Sequence, residues 1–125
     1  MDFVRALQKA GYKCTKPRLA LLSHFKNSAS PQTPQQIHRS VKRQGIDLTT
    51  VYRTLEVFRK VGIVFREEMM SESRFFLAEK EHHHIICRTC GTIRCLPCNV
   101  KLPKPKGFSK IKHAFTLTGI CSDCT

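Results

Sequence analysis

Six of the seven cysteines in this 125-residue chain stand in three Cys-x-x-Cys pairs crowded toward its end: CRTCG at 87–91, CLPCN at 95–99 and CSDCT at 121–125. A two-residue spacer lets both sulfurs of a pair, with the amides of the turn between them, converge on one tetrahedral ion, so each pair can supply half of a zinc site. A chain this short builds only a modest core and gains from such a staple. Three pairs give three ways to choose two. Joining Cys87 and Cys90 to Cys95 and Cys98 leaves four residues between the pairs, a very tight hairpin, and leaves Cys121 and Cys124 idle. Joining Cys87 and Cys90 to Cys121 and Cys124 encloses 30 residues, room enough for strands that bring the two ends together, and it anchors the last residues. The second pairing is favoured. Cys14 has no such neighbour and is expected to be a packed thiol.

Compartment follows from the same residues. A secretory leader needs a basic start and then an unbroken apolar run, whereas MDFVRALQKAG is interrupted by Arg5, Gln8 and Lys9, and no later segment is long enough to span a membrane. A cytoplasmic protein with reduced thiols is expected, and there close cysteine pairs indicate metal ligands or redox groups rather than a disulfide framework. The formal charge is +13, from 22 Lys and Arg against 9 Asp and Glu, which favours a polyanionic partner. Residues 1–78 carry 14 bases and 6 acids, and residues 79–125 carry 8 and 3. Four thiolates on one zinc add about −2 to the second part, so a nucleic-acid footprint is expected mainly in the first.

The first 62 residues divide into four short helices. Phe3, Val4 and Leu7 give the first a buried stripe that Gly11 ends; Thr15 caps a second, with Pro17 in its first turn and Leu19, Leu22 and Phe25 inward. Thr33-Pro34-Gln35-Gln36 has the form of a capping box with proline at the first helical position, Ile37 and Val41 face inward, and Gly45 ends the third helix. The fourth is expected from about Thr49 to Lys60, burying Val51, Leu55 and Phe58 and presenting Thr50, Tyr52, Arg53 and Arg59. Beyond Gly62 the apolar spacing shortens: IVFRE and SRFFLA, with EMMSES between them, predict a hairpin. Helices followed by a hairpin are the order of a winged helix-turn-helix, whose last helix enters the DNA major groove. Residues 79–125 read as a small, mostly β module, with strands in HHHIIC, GTIRCL and IKHAFTLTGIC, and with Pro103 and Pro105 excluding a regular helix from the segment between. The predicted fold class is α+β, divided into a winged helix over 1–78 and a zinc-held unit over 79–125. No Ser/His/Asp set, phosphate loop or paired-carboxylate pocket is present to suggest an enzyme.

KCTKPR (13–18), TTVYRTLEVFRKVGIV (49–64), HHHIICRTCG (82–91) and HAFTLTGICSDC (113–124) together resemble the ferric uptake regulator (Fur) family of metal-responsive repressors, over almost the whole length. The resemblance implies a winged helix followed by an α/β dimerisation domain, with structural zinc held by Cys87, Cys90, Cys121 and Cys124, in agreement with the spacing. It implies that Tyr52 touches a thymine and Arg53 a phosphate, with Thr49 and Thr50 beside them. Lys13 would approach the minor groove, and Arg18 is a nearby basic position. These roles fit the division between base readout and positioning contacts.

Several positions depart from the family pattern. Its sensing site uses a histidine before the third helix, an acid on the second wing strand, two alternating histidines and an acid on the following strand. Here His82 and His84 match the alternating pair, Pro31 or Gln32 stands before the helix, Phe76 replaces the wing acid, and Cys95 replaces the last acid. Two imidazoles and one or two thiolates suit zinc better than iron or manganese. His82, His84, Cys95 and Cys98 are therefore the candidate sensing site, with zinc as effector and the zinc-sensing branch as the nearest chemistry. His83, His113 and Glu81 match a second family position, but the acid that completes it lies in a helix replaced here by KLPKPKGFSK. Loss of that helix implies a smaller dimer interface, hence a weak or DNA-assisted homodimer. The expected function is repression of metal-homeostasis genes from a palindromic double-stranded DNA operator. Two alternatives stand beside it: a redox-sensing regulator using Cys95 and Cys98, and a metal-insensitive DNA-binding protein with structural zinc only.

Overall fold

A helix begins where something outside it can accept its first, unpartnered amides. Asp2 does this for α1 (Phe3–Lys9), accepting from the Arg5 N–H at 3.1 Å. In the computed structural model, which describes residues 2–28, 30–80, 82–96, 101, 103–111, 113 and 116–125, the same device starts α3 and α4. The Thr33 hydroxyl accepts from the Gln36 N–H at 3.2 Å while the Gln36 side chain accepts from the Thr33 N–H at 2.9 Å, a complete capping box for α3 (Pro34–Val41). Asp47 accepts from the Thr50 N–H at 2.8 Å and starts α4 (Leu48–Val61). The onset near Thr49 expected from the sequence is thus slightly late, because the capping acid lies two residues earlier. The hydrogen bonds from Thr50 hold the Asp47 carboxyl below the usual aspartate range. Helix α2 (Lys16–Asn27) has Thr15 at its cap position but no side-chain bond there; Pro17 sets its first turn instead.

The buried faces of these helices form one cluster that includes Leu7, Leu21, Phe25, Ile37, Leu55 and Phe58. Leu19, expected inside, is 44% exposed, and Leu21 takes its place beside Leu22 and Phe25. Helix α4 ends at Gly62, whose φ of 89° lets its N–H reach back to the Phe58 and Arg59 carbonyls and turns the chain directly into a strand.

That strand, β1 (Val64–Met69), pairs antiparallel with β2 (Glu72–Leu77) from Val64↔Leu77 to Met69↔Glu72. Met70 and Ser71, both at positive φ, form the turn, so the ladder runs into the segment EMMSES that the sequence suggested was all turn. Two left-handed residues in a two-residue turn match the twist of the strands they join. Gln32, just ahead of α3, bridges Phe75 through two backbone hydrogen bonds of 3.0 and 2.7 Å, tying the hairpin back to the helices. This is a winged helix-turn-helix.

The second sheet has the order β4-β3-β5. Strand β3 (His83–Cys87) pairs antiparallel with β4 (Ile93–Leu96) and parallel with β5 (Leu117–Gly119). A parallel pair needs a crossover. Among the described residues between β4 and β5 there is no helix, as Pro103 and Pro105 require. No helix among the described residues is long and apolar enough to cross a membrane.

Because Thr33 is only 8% exposed and its hydroxyl caps α3, Thr33→Ala should lower unfolding stability by about 1 kcal/mol. Urea unfolding should show a lower midpoint at unchanged slope; an unaltered midpoint would mean that the capping box contributes nothing.

Candidate metal centres and nucleic-acid interface

The parallel ladder sets Cys87 opposite Gly119, and the Arg88 N–H donates to the Gly119 carbonyl at 2.8 Å, so the two Cys-x-x-Cys turns lie side by side. The Sγ atoms of Cys87, Cys90, Cys121 and Cys124 all lie within 4.8 Å of one another. Each turn is closed by a backbone bond, Gly91 N–H to the Cys87 carbonyl at 2.9 Å and Cys124 N–H to the Cys121 carbonyl at 3.0 Å. Gly91, at φ 78°, permits the first of these turns. Sulfurs at zinc-bond length from a central tetrahedral ion stand about 3.8 Å apart. Cys90 and Cys121 are 3.7 Å apart, which fits an ion and is too long for a disulfide.

Electrostatics point the same way. The Cys121 N–H, 3.4 Å from Cys87 Sγ, and the Cys90 amide bring the Cys87 thiol down to about 6. Hydrogen bonding from the Thr92 hydroxyl, at 3.0 Å, lowers Cys90. Cys124 is pushed up to about 12 by the thiols of Cys121 and Cys90. Crowded sulfurs of one sign cannot all ionise unaided, and a divalent cation removes that obstacle.

A second group forms where the chain crosses from wing to second sheet. In the β3/β4 ladder His84 stands directly opposite Cys95, and side chains opposite one another share a face. His82, two residues before His84, adds its ring to the same face, with centroids 4.6 Å apart. One donor atom from each of His82, His84 and Cys95 lies within 4.8 Å of the others, and Cys95 Sγ is 3.8 Å from His82 Nε2. His84 is 1% exposed, and its Nε2 is buried without a hydrogen-bond partner. An orphaned imidazole nitrogen beside a second imidazole and a thiol is a donor set that fits a borderline-soft ion such as zinc. Phe76, which stands where the family pattern has an acid, packs its ring 4.7 Å from both His82 and His84 and gives the group an aromatic wall. Gln32 points elsewhere, its side chain bound by His24 and Ser28.

Glu67 escaped the sequence reading. Its carboxylate accepts the His84 backbone N–H at 3.1 Å through Oε1 and sets Oε2 2.5 Å from His84 Nδ1, and the residue is 8% exposed. An acid alternating with Phe65 and Met69 along β1 was the available signal.

His83 and His113 also meet, with Nε2 atoms 2.9 Å apart, but among the described residues no third ligand type joins them in a group. Glu81 and Cys98 lie outside the described residues. Cys14 is half-buried, its thiol 4.0 Å from the Val4 carbonyl.

The start of α4 gathers the nucleic-acid candidates. Thr49, Tyr52 and Arg53 are exposed, Tyr52 by 44%, and Thr50 is half-buried by its capping bond. Lys13 is exposed in the α1–α2 connection. Arg18 donates to the Lys13 carbonyl at 2.8 Å and lies over the Tyr12 ring, so it braces the turn that carries Lys13.

Residues 9–115 match the model of the ferric uptake regulator family. The ferric uptake regulation protein of Bordetella parapertussis is 33% identical over 129 residues, covering 94% of this chain and 93% of that protein. Among solved structures, the Vibrio cholerae ferric uptake regulator superposes with a TM-score of 0.71 at 27% identity, over 96% of this chain and 100% of that one. The Helicobacter pylori regulator, described as having three functional metal-binding sites, gives 0.70 at 25% identity over 98% and 88%. With residues 9–115 matching the family model and a winged helix followed by a β-rich second part, the chain belongs to the ferric uptake regulator family of metal-responsive, DNA-binding transcription regulators, which are not enzymes.

Proposed function

We propose that this protein is a cytoplasmic, zinc-responsive repressor of metal-homeostasis genes that binds a palindromic, A/T-rich operator as a homodimer. In this reading residues 1–78 contact DNA, residues 79–125 dimerise, and Cys87, Cys90, Cys121 and Cys124 hold structural zinc. The observation that carries it is the second group, His82, His84 and Cys95, packed against the wing with the His84 Nε2 left unpartnered. Two nitrogens and a sulfur favour zinc over iron(II) or manganese(II), whose sites are richer in carboxylate. Zinc, when bound, supplies a dication able to draw the three donors to one centre. His82 and His84 would present ring nitrogens from one face of the second sheet and Cys95 its sulfur from the adjacent strand, with Phe76 packed against the two imidazoles and His84 shut off from water.

The coupling to DNA is a shift in population between arrangements of the recognition helices, bounded by the difference in metal affinity between them. A dimer must set its two α4 helices about one helical turn of DNA apart, or a multiple of it, to read a palindrome. At each half-site Tyr52 would pack on a thymine methyl, Arg53 on phosphate, and Lys13 would reach toward the minor groove.

Metal stoichiometry tests the assignment. Wild type should hold two zinc ions per chain and Cys95→Ser one, with operator affinity of wild type rising as the second site fills. One zinc in both proteins, with operator affinity flat across a zinc titration, would instead favour the metal-insensitive regulator. A reversible disulfide after mild peroxide, without zinc release and with altered DNA affinity, would favour the redox reading.

On DNA, Arg53→Ala should weaken binding to all sequences alike and reduce the slope of log affinity against log salt by about 1. Tyr52→Ala should relax discrimination at a thymine position by about 1–3 kcal/mol, measurable as a narrowed gap between operator and a single-substitution competitor.

A further inference from the structure

The buried Glu67 carboxylate makes two contacts with one residue of the other sheet. Its oxygens accept from the His84 backbone N–H and from His84 Nδ1. A backbone amide can only donate, and a carboxylate can only accept. With both oxygens turned to His84, the neutral ring carries its proton on Nδ1, which leaves the lone pair on Nε2. That is the nitrogen buried without a partner beside His82 and Cys95. Glu67 itself is not in the group of mutually close donors, so its place is behind the imidazole.

We propose that Glu67 is a positioning residue for the second metal centre: it fixes the tautomer and orientation in which His84 offers Nε2 to the ion, and it does so from the wing. This rests on the reading of His82, His84 and Cys95 as a metal site. Histidines that bind metals commonly donate their other N–H to a carboxylate, which raises the basicity of the ligating nitrogen. Here that carboxylate comes from β1, which follows α4 directly through Gly62. The metal centre and the recognition helix are thereby joined by one side chain and one strand.

Glu67→Gln is the decisive variant because it keeps shape and changes only the pattern of donors and acceptors. A carboxamide has one acceptor and one donor where the carboxylate had two acceptors. Since the His84 amide must donate, the carboxamide oxygen takes it, and the NH2 group then faces Nδ1. The ring proton moves to Nε2, the atom needed for the metal. The full-length protein, with its tightly held zinc retained and the second site empty, should therefore show His84 as the Nδ1–H tautomer in wild type by nitrogen-15 NMR of the imidazole at alkaline pH. Glu67→Gln should show the Nε2–H form, and zinc affinity at the second site should fall by about 10–100-fold in chelator competition. Tight zinc content and cooperative unfolding of the variant serve as the folding control.

The outcomes separate. Two zinc ions in wild type, with an unchanged second affinity in Glu67→Gln, would overturn the role of Glu67 and leave the metal site standing. A single zinc in wild type would overturn the site and the proposal with it. Should Glu67→Gln fail to fold, the wild-type tautomer decides, since an Nε2–H ring in the unmodified protein is incompatible with the proposal.

Discussion

Strand His83–Cys87 carries a ladder on each edge, and the register of those ladders brings together the two groups of metal donors found among the described residues. The antiparallel edge sets His84 against Cys95 and the parallel edge sets Cys87 against Gly119. A slip of one residue in either ladder would turn the donors to opposite faces and disperse both groups. Register is held on one side by the closed turn at Gly91 and on the other by the run of bonds through Arg88 and Cys121. Few large apolar side chains are available to do the same work: Ile86 and Cys87 are the buried apolar residues of this sheet, whereas the helices and wing hold most of the core. A cross-link among the four sulfurs would therefore contribute to folding as well as to geometry, because ligands brought together by an ion need not be held together by packing.

Helices were the most legible part of the fold because their caps are local chemistry. Thr33 with Gln36, the proline after Thr33 and Gly62 after Val61 announce themselves in sequence, and α3 starts and α4 ends where those residues put them, whereas α3 stops at Val41 and a 3-10 turn, Lys42–Gln44, carries the chain to Gly45. Leu19 and the onset of α4 were misjudged for a related reason: a 3.6-residue period admits two adjacent faces in a short helix, and Asp47 competes with Thr49 as cap. The tip of the wing could not be read, since Met70 and Ser71 adopt positive φ without a glycine or asparagine to signal it.

For the metal groups, spacing alone brought Cys87 and Cys90 to Cys121 and Cys124, and alternation brought His82 to His84. The partner across the strand, Cys95, needed the family pattern, because register between strands is a tertiary property. Glu67 offered the sequence only its spacing with Phe65 and Met69, which does not say what it meets. Its contact spans 17 residues and crosses from one sheet to the other, and an acid beside Arg66 and Glu68 reads as a solvated side chain until its burial is known.

The substitution of Phe76 for an acid and of Cys95 for another has a joint consequence. Each removes a hard oxygen from the neighbourhood of His82 and His84, and one of them replaces it with sulfur. Ions that prefer carboxylate and water, as manganese(II) does, lose both of those ligands at such a centre, while an ion at ease with imidazole and thiolate loses only the one that Phe76 displaces. Phe76 also excludes water from the His84 side, where burial is nearly complete. A dry wall raises the cost of leaving Nε2 unpartnered, because a buried polar atom without a hydrogen bond forfeits its hydration with nothing in return. The less the surroundings can solvate that nitrogen, the more strongly an ion is favoured in front of it. The carboxylate that holds the ring from behind belongs to the wing. In the proposed reading selectivity and coupling would arise from residues on the same hairpin: Phe76 on β2 would narrow which ion fits, and Glu67 on β1 would connect its binding to the strand that follows α4.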